Sequence, residues 1–340
     1  MSKNQLFEYF DELDDQEGTL AQSNHKRVSV RRESKKRDNE ARLFIRAQEF
    51  SRDFQFTYKA ARFEEAWLLD SLAELADLEW ISDVLRKVKG GKEASVYLCK
   101  GGRAADSPLV AAKIYRPRTL RNLKNDQQYR VGRADLDEKG DVIRDDRTLR
   151  ATQKRTEYGE EVRHQSWIAY EFLTLETLYA AGADVPKPYA MERNAILMGY
   201  VGDVATSAPP LSAVDLDRDE AGQLFERVIR NIDLLLRNDR IHGDLSAYNI
   251  LYWNGDVTLI DFPQVVAPEA NPQAWNIFLR DVTRVCDYFK NQGVWSDPRA
   301  LAAELWTAYG HKTTKEVEPS LLDAEKPEDR KLWMKQSNKL

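Results

Sequence analysis

Residue types and spacing suggest chemistry first in Ile241-His242-Gly243-Asp244-Leu245-Ser246-Ala247-Tyr248-Asn249-Ile250-Leu251, followed soon after by Val257-Thr258-Leu259-Ile260-Asp261-Phe262. Two short apolar runs, Ile250–Trp253 and Val257–Ile260, flank Asn254-Gly255, and Asn-Gly is the strongest two-residue hairpin signal. A hairpin there brings Asn249, just before its first strand, beside Asp261, just after its second. An amide oxygen and a carboxylate at one end of a hairpin suit Mg²⁺, a hard cation that takes few protein ligands and shares phosphate oxygens. Asp244, five residues before Asn249, can then lie across a terminal phosphate from the metal, where it could orient an attacking hydroxyl or accept its proton. Taken singly these residues say little, since an Asp before an apolar residue is usually a turn or a helix cap. In this order and spacing they point to phosphoryl transfer. His242 is expected to pack and hydrogen-bond in support of the loop rather than to move protons.

A second set lies upstream. Gly90-Gly91-Lys92-Glu93-Ala94-Ser95-Val96-Tyr97 puts a Gly turn between two strand-like runs, where backbone N–H groups can approach phosphates closely; by itself such a turn is an ordinary hairpin. Lys113 is more telling. It stands inside Val110-Ala111-Ala112-Lys113-Ile114-Tyr115, where an ammonium is costly unless exposed or paired. Glu171 is equally out of place among Ile168, Phe172, Leu175 and Leu178. A Lys113–Glu171 pair accounts for both and is the pair with which a kinase holds α- and β-phosphates. Two independently solvated charges are the alternative.

The elements that must position these groups follow from periodicity. From Tyr58 to about Asp77 the apolar residues fall at helical spacing. Val84–Val88, Ala94–Cys99 and Leu109–Tyr115 are short, rich in β-formers and separated by turn signals at Gly90-Gly91 and Gly101-Gly102, which predicts a small antiparallel sheet. Residues 117–165 are highly charged and weakly periodic, a long connection of the kind that is functional or disordered. Trp167–Tyr179 reads as a helix, ending at Ala181-Gly182 before Pro186 and Pro188. Ala195–Val201 reads as one more strand, leading into a mostly helical half. There Leu224, Val228, Ile232 and Leu235 form one apolar stripe, and Val282, Val285, Cys286 and Phe289 another. A sheet-rich half and a helical half joined by one strand make a bilobal α+β architecture.

Bulk properties narrow the classes. The 340 residues are 42% hydrophobic and 31% charged, with a formal net charge of −5, which fits a globular protein of one large domain or two lobes and not a nucleic-acid binder as a whole. No apolar run approaches the roughly 20 residues that span a bilayer, and the first residues do not resemble a signal peptide. Two cysteines, Cys99 and Cys286, make neither a disulfide framework nor a zinc site, so a reducing cytoplasm is expected. Lys26 to Arg37 carries seven basic residues against Glu33. That block reads as a solvated arm or as a contact to RNA or an acidic partner through counterion release.

With those residues in view, the sequence resembles the RIO family of atypical serine/threonine protein kinases, and within it the subgroup without an N-terminal winged helix. The resemblance rests on Gly91-Lys92-Glu93-Ala94-Ser95-Val96-Tyr97, Ala112-Lys113-Ile114-Tyr115, Tyr170-Glu171-Phe172, Leu197-Met198-Gly199-Tyr200-Val201-Gly202, His242 to Asn249, Ile260-Asp261 and Arg280-Asp281-Val282, in the family's order over roughly residues 82–295. It implies a reduced kinase fold that binds ATP and Mg²⁺: a small antiparallel-sheet N-lobe over 81–201, with a flexible loop at 117–165, and a mostly helical C-lobe over 202–311. A polar basic arm (1–52), a helical extension (53–80) and a polar tail (312–340) complete the division. Carried over by position, Lys113 contacts phosphates with Lys92 and Ser95 of the Gly91 turn helping. Gly199 and Val201 hydrogen-bond adenine through their backbone, Met198 stands behind it, Asp244 is the catalytic base, and Asn249 and Asp261 hold the metal. In this family the metal-binding aspartate can itself be phosphorylated transiently, which makes Asp261 a candidate nucleophile.

Two departures stand out. Pro263 follows Phe262 where common kinases have Gly, which removes an N–H and fixes φ. Ala267-Pro268-Glu269 imitates the close of an activation loop but comes too soon after Asp261 to leave one. Two other functions therefore stay open. A small-molecule phosphotransferase of the aminoglycoside or choline type shares His-Gly-Asp-Leu and Ile-Asp-Phe, though Ser246 stands where that group usually has His. An ATP-gated binding switch on a ribosomal precursor would use the same site without a phosphorylated partner.

Overall fold

The structure, a computed structural model, describes residues 54–91, 93–116, 133–137, 140–154 and 156–312. The basic block 26–37, Lys92 and the tail beyond 312 lie outside the described residues. Strands β1 (Ile81–Gly90), β2 (Ala94–Gly101), β3 (Leu109–Tyr115), β4 (Pro188–Glu192) and β5 (Ala195–Gly199) form one antiparallel sheet in the order β1-β2-β3-β5-β4. Side chains alternate across a strand and cross-strand partners share a face, so register decides which residues meet the site. Val96, Lys113 and Ile196 are partners on one face, as are Leu98, Ala111 and Met198. Tyr97, Ala112 and Leu197 belong to the other.

That second face is covered by α1 (Arg62–Asp77), whose Trp67, Leu68, Leu72 and Leu75 pack with Tyr97, Cys99, Val110, Ala112, Ile114 and Leu197. Burying them stabilises the layer by about 1.5–3 kcal/mol per large side chain. The face bearing Lys113 meets α3 (Glu157–Ala180), with Tyr115, Trp167, Ile168 and Ile196 in one buried cluster.

The segment 117–165, expected as a connection without regular structure, has regular structure among its described residues. It carries α2 (Asp146–Gln153) and the first part of α3, which starts ten residues before the expected Trp167. The causes are local. The Asp145 side chain accepts from Thr148 N–H and the Thr156 hydroxyl from Gly159 N–H, two N-caps whose charged surroundings masked the helical period. Strand β4 was hidden by Pro186 and Pro188; it is a sheet edge, where proline is tolerated.

Past the sheet, α4 (Arg218–Arg237), α5 (Ala274–Asn291) and α6 (Pro298–Ala308) share one core with a two-stranded hairpin, β6 (Ile250–Trp253) and β7 (Asp256–Leu259). The two predicted stripes are buried together, Leu224, Val228, Ile232 and Leu235 of α4 against Val282, Val285, Cys286 and Phe289 of α5. The result is the bilobal α+β fold expected, and Cys286 is a core residue. No helix among the described residues is long and apolar enough to cross a membrane.

Candidate active site

The hairpin forms as its turn residues dictate. Trp253 pairs with Asp256 across Asn254-Gly255, and both turn residues have positive φ, 52° and 82°, the signature of a type I′ turn. At the open end Ile260 N–H donates to the Asn249 carbonyl at 3.0 Å, so Asn249 and Asp261 leave the same end. The hairpin is tied down behind. Arg227 of α4 bonds both carboxylate oxygens of Asp184 and also reaches Asp256, and Leu259 N–H donates to the Asp184 carbonyl at 2.8 Å.

The loop before the hairpin is held by buried polar groups. His242 is 1% exposed. Its Nε2 lies 3.1 Å from the Ile260 carbonyl and its Nδ1 3.4 Å from Asp244 N–H, partners that suit a neutral ring donating through Nε2. Burial pushes its pKa below the usual value, so His242 holds the loop to the hairpin. Gly243 has φ of +84°, and a Cβ there would lie 2.1 Å from the Gln264 carbonyl oxygen. The loop start and the segment after Asp261 thus close against each other, with an Ile241–Val266 bridge beside them. From α5, Asp281 accepts the Gly243 N–H at 2.7 Å and Arg280 donates to the Gly243 carbonyl. Asp281 is 2% exposed, and burial raises its carboxyl to about 6 against the opposing pull of Arg280.

Lys113, Glu171 and Asp261 come together. Lys113 Nζ is 2.6 Å from Glu171 Oε1 and 2.6 Å from Asp261 Oδ1, which joins sheet, α3 and hairpin end through one ammonium. Lys113 and Glu171 are buried; the Asp261 side chain is 43% accessible. Burial works against the Lys113 charge, but the Asp261 and Glu171 carboxylates outweigh it and hold the ammonium well above its ordinary pKa. Burial likewise works to raise Asp261, and Lys113 more than offsets it, so this carboxyl sits below the ordinary range. The Tyr115 hydroxyl donates to the second oxygen of Glu171. Asp261 itself has φ of +72°, an uncommon conformation for a non-glycine residue and one found where function fixes geometry.

Asp244 and Asn249 form the other half. Asn249 Nδ2 donates to the Asp244 carbonyl at 2.9 Å and lies 3.4 Å from Asp244 Oδ2, which leaves the amide Oδ1 as the atom it can offer a cation. With the Asp261 carboxylate that makes two hard oxygen donors, and no cluster of three His, Cys, Asp or Glu residues suited to a metal occurs among the described residues. Two protein oxygens completed by phosphate and water fit Mg²⁺ and do not fit a structural zinc.

The remaining expected residues divide. Gly91 opens the β1–β2 turn. Ser95 pairs with Ile114 and is 1% exposed, so its hydroxyl is on the face turned to α1 and does not share a face with Lys113. Met198 does share that face, opposite Ala111. Gly199 N–H is bonded to the Lys187 carbonyl, and the Val201 carbonyl to Ala208 N–H. Four contributors were not singled out as site residues from sequence: Tyr115, Asp281, Arg284 and Arg133. Arg284 of α5 reaches Asp244. Arg133 donates to the Pro263 and Val265 carbonyls and lies over the Tyr170 ring at 4.5 Å, so the 117–165 connection grips the chain just after Asp261. The one available signal was Arg280-Asp281 beside an apolar stripe.

A sequence model of the RIO domain matches residues 96–301, which takes in all the expected site residues apart from Gly91, Lys92 and Ser95. The RIO-type serine/threonine-protein kinase Rio1 of Haloferax volcanii is 33% identical over 214 residues, 63% of this chain and 66% of that protein. The serine/threonine-protein kinase rio1 of Schizosaccharomyces pombe is 28% identical over 237 residues, 67% of this chain and 43% of that protein. The matches thus span just under two thirds of the first relative's length and less than half of the second's. Among solved structures, the Rio2 kinase from Chaetomium thermophilum in an ADP/Mg²⁺-phosphoaspartate complex is 18% identical, with a TM-score of 0.48 over 88% of this chain and 96% of that one.

Proposed function

The chain belongs to the RIO domain family, and on that premise we propose that it is a serine/threonine protein kinase that uses ATP with Mg²⁺. The observation that carries the proposal is the Lys113 ammonium, 2.6 Å from both Glu171 and Asp261. A buried cation held by two acids at the mouth of a sheet is suited to phosphate oxygens. Adenine lies between the lobes taken as 81–201 and 202–311, with the Gly199 carbonyl and Val201 N–H as the acceptor and donor for its edge and Met198 behind. Mg²⁺, held by Asn249 and Asp261, supplies charge neutralisation on the phosphates. Lys113 holds the α- and β-phosphates in place. Asp244 receives the proton of a Ser or Thr hydroxyl as its oxygen bonds the γ-phosphorus, the bond to the bridging oxygen breaks and ADP leaves.

The accessible Asp261 carboxylate supports a second acceptor at the same site. Its oxygen bonds the γ-phosphorus, ADP leaves, and water deprotonated by Asp244 then releases phosphate, an ATPase cycle through an aspartyl-phosphate. Incubation with γ-labelled ATP and Mg²⁺ tests both. Label should appear on Ser or Thr or as free phosphate, and both should vanish with Asp244→Ala, whereas label carried by Asp261 should persist in that variant; unchanged transfer and phosphate release there overturn the assignment. Hydroxylamine removes label from an acyl phosphate and not from phosphoserine or phosphothreonine. The protein substrate is to be found by such labelling. Contact of the basic block 26–37 with RNA or a ribosomal precursor belongs to the same proposal, and deletion of residues 1–52 should weaken it. A cytoplasmic location is part of the same reading, in keeping with two cysteines that are both buried and free.

A further inference from the structure

Helix α5 holds the Asp244 loop at two successive residues. Arg280 and Arg284 lie one turn apart on one helix face. Arg280, with its neighbour Asp281, takes the main chain of Gly243 by its carbonyl and N–H. Arg284 takes the side chain that follows, its Nη1 2.8 Å from Asp244 Oδ1. The other carboxylate oxygen lies 3.4 Å from Asn249 Nδ2. Donors on opposite oxygens fix rotation about the Cβ–Cγ bond, which one donor alone does not. Both partners of the Arg284–Asp244 pair are 42% accessible, and an ion pair that exposed adds little to stability. Its consequence is where the carboxylate points.

We infer that Arg284 is a positioning residue for phosphoryl transfer, setting the orientation of the Asp244 carboxylate so that an acceptor hydroxyl meets a lone pair. It acts through Asp244, and the inference rests on the assignment of Asp244 given above. Guanidinium geometry matters here: a planar fork holds an oxygen in a fixed direction, whereas an ammonium on a flexible stem keeps the charge and loses the direction.

The test measures kcat and KM for ATP on the full chain with Mg²⁺, for the native protein, Asp244→Ala, Arg284→Ala, Arg284→Lys and the Asp244→Ala/Arg284→Ala double variant. Arg284→Ala should lower kcat about 10- to 100-fold, the scale of a misplaced catalytic group, with KM for ATP unchanged within about twofold. Arg284→Lys should recover part of the loss. Added ethylguanidine should raise turnover of Arg284→Ala and leave Asp244→Ala unmoved, and the double variant should be no slower than Asp244→Ala. Native kcat in Arg284→Ala, or a further large loss in the double variant, overturns the inference. If Arg284→Ala does not fold, Arg284→Lys against Arg284→Gln makes the same comparison, and equal rates for those two overturn it. Native turnover in Asp244→Ala overturns instead the assignment on which the inference stands.

Discussion

Replacement of Lys113 by Met keeps the length and apolar stem of the side chain and removes only the ammonium. Glu171, 5% exposed, then keeps the Tyr115 hydroxyl as its hydrogen-bond donor, and its carboxylate is buried without a counter-charge. Breaking a buried pair from one side costs about 3–5 kcal/mol. Asp261 adds little to that figure, because its side chain is 43% accessible and can turn to water. Lys113→Met should therefore lose about 3 kcal/mol of unfolding free energy along with all Mg²⁺-ATP turnover. Adding Glu171→Gln removes the stranded charge while keeping an acceptor for Tyr115, and should restore about half of the lost stability and none of the activity. Urea unfolding followed by tryptophan fluorescence reads this directly, since Trp167 stacks edge-on to Tyr115 at 5.0 Å between centroids. Equal midpoints for Lys113→Met and the double variant would show that Glu171 is not stranded by loss of Lys113, and the reasoning from burial would fail.

Other expectations follow from the same geometry. Tyr115→Phe removes the hydroxyl from Glu171 and should cost about 1–3 kcal/mol, measured by urea unfolding. Gly243→Ala and Gly255→Ala impose the same left-handed strain, φ of +84° and +82°, but only the first meets an atom, the Gln264 oxygen at 2.1 Å. Gly255→Ala should cost about 1–2 kcal/mol and Gly243→Ala markedly more, with thermal melts of the pair as the check. Asp281 rises from its ordinary 3.8 to about 6 on folding, so the folded state binds its proton more tightly. The stability tied to this group is present below about pH 4 and lost as pH rises through about 6. Asp281→Asn should gain on the native protein by about 2 kcal/mol between pH 4 and 7, and a constant difference across that range would refute it.

What sequence made legible was whatever local rules control. Asn254-Gly255 announced its hairpin, and Lys113 and Glu171 drew notice as charges inside apolar runs, where their pairing at 2.6 Å explains both. What it concealed depends on distance along the chain or on strand parity. Asp281 and Arg284 grip residues some forty positions earlier; the pair Arg280-Asp281 beside an apolar stripe hints at a role, but nothing nearby in sequence tells what it grips. The Ser95 hydroxyl is turned from Lys113 by register alone, which motif order does not encode. The Arg133 contact joins a charged connection to Pro263, and α2 lies in a region whose charges blur the helical period.

The hairpin also constrains how this protein can change in length. β6 and β7 pair without a register shift from Ile250↔Leu259 to Trp253↔Asp256. One residue inserted in either strand would turn Asn249 or Asp261 to the opposite side. Two would keep the side but displace one of these residues from the other by about 7 Å. Only matched additions at the Asn254-Gly255 tip, where a Cβ on Gly255 meets nothing within 4 Å, lengthen both arms together and leave the open end unchanged. Between Asn249 and Asp261 the chain therefore behaves as a measuring rod, and insertions accumulated by descent or added as reporter tags have to fall at its tip or outside it.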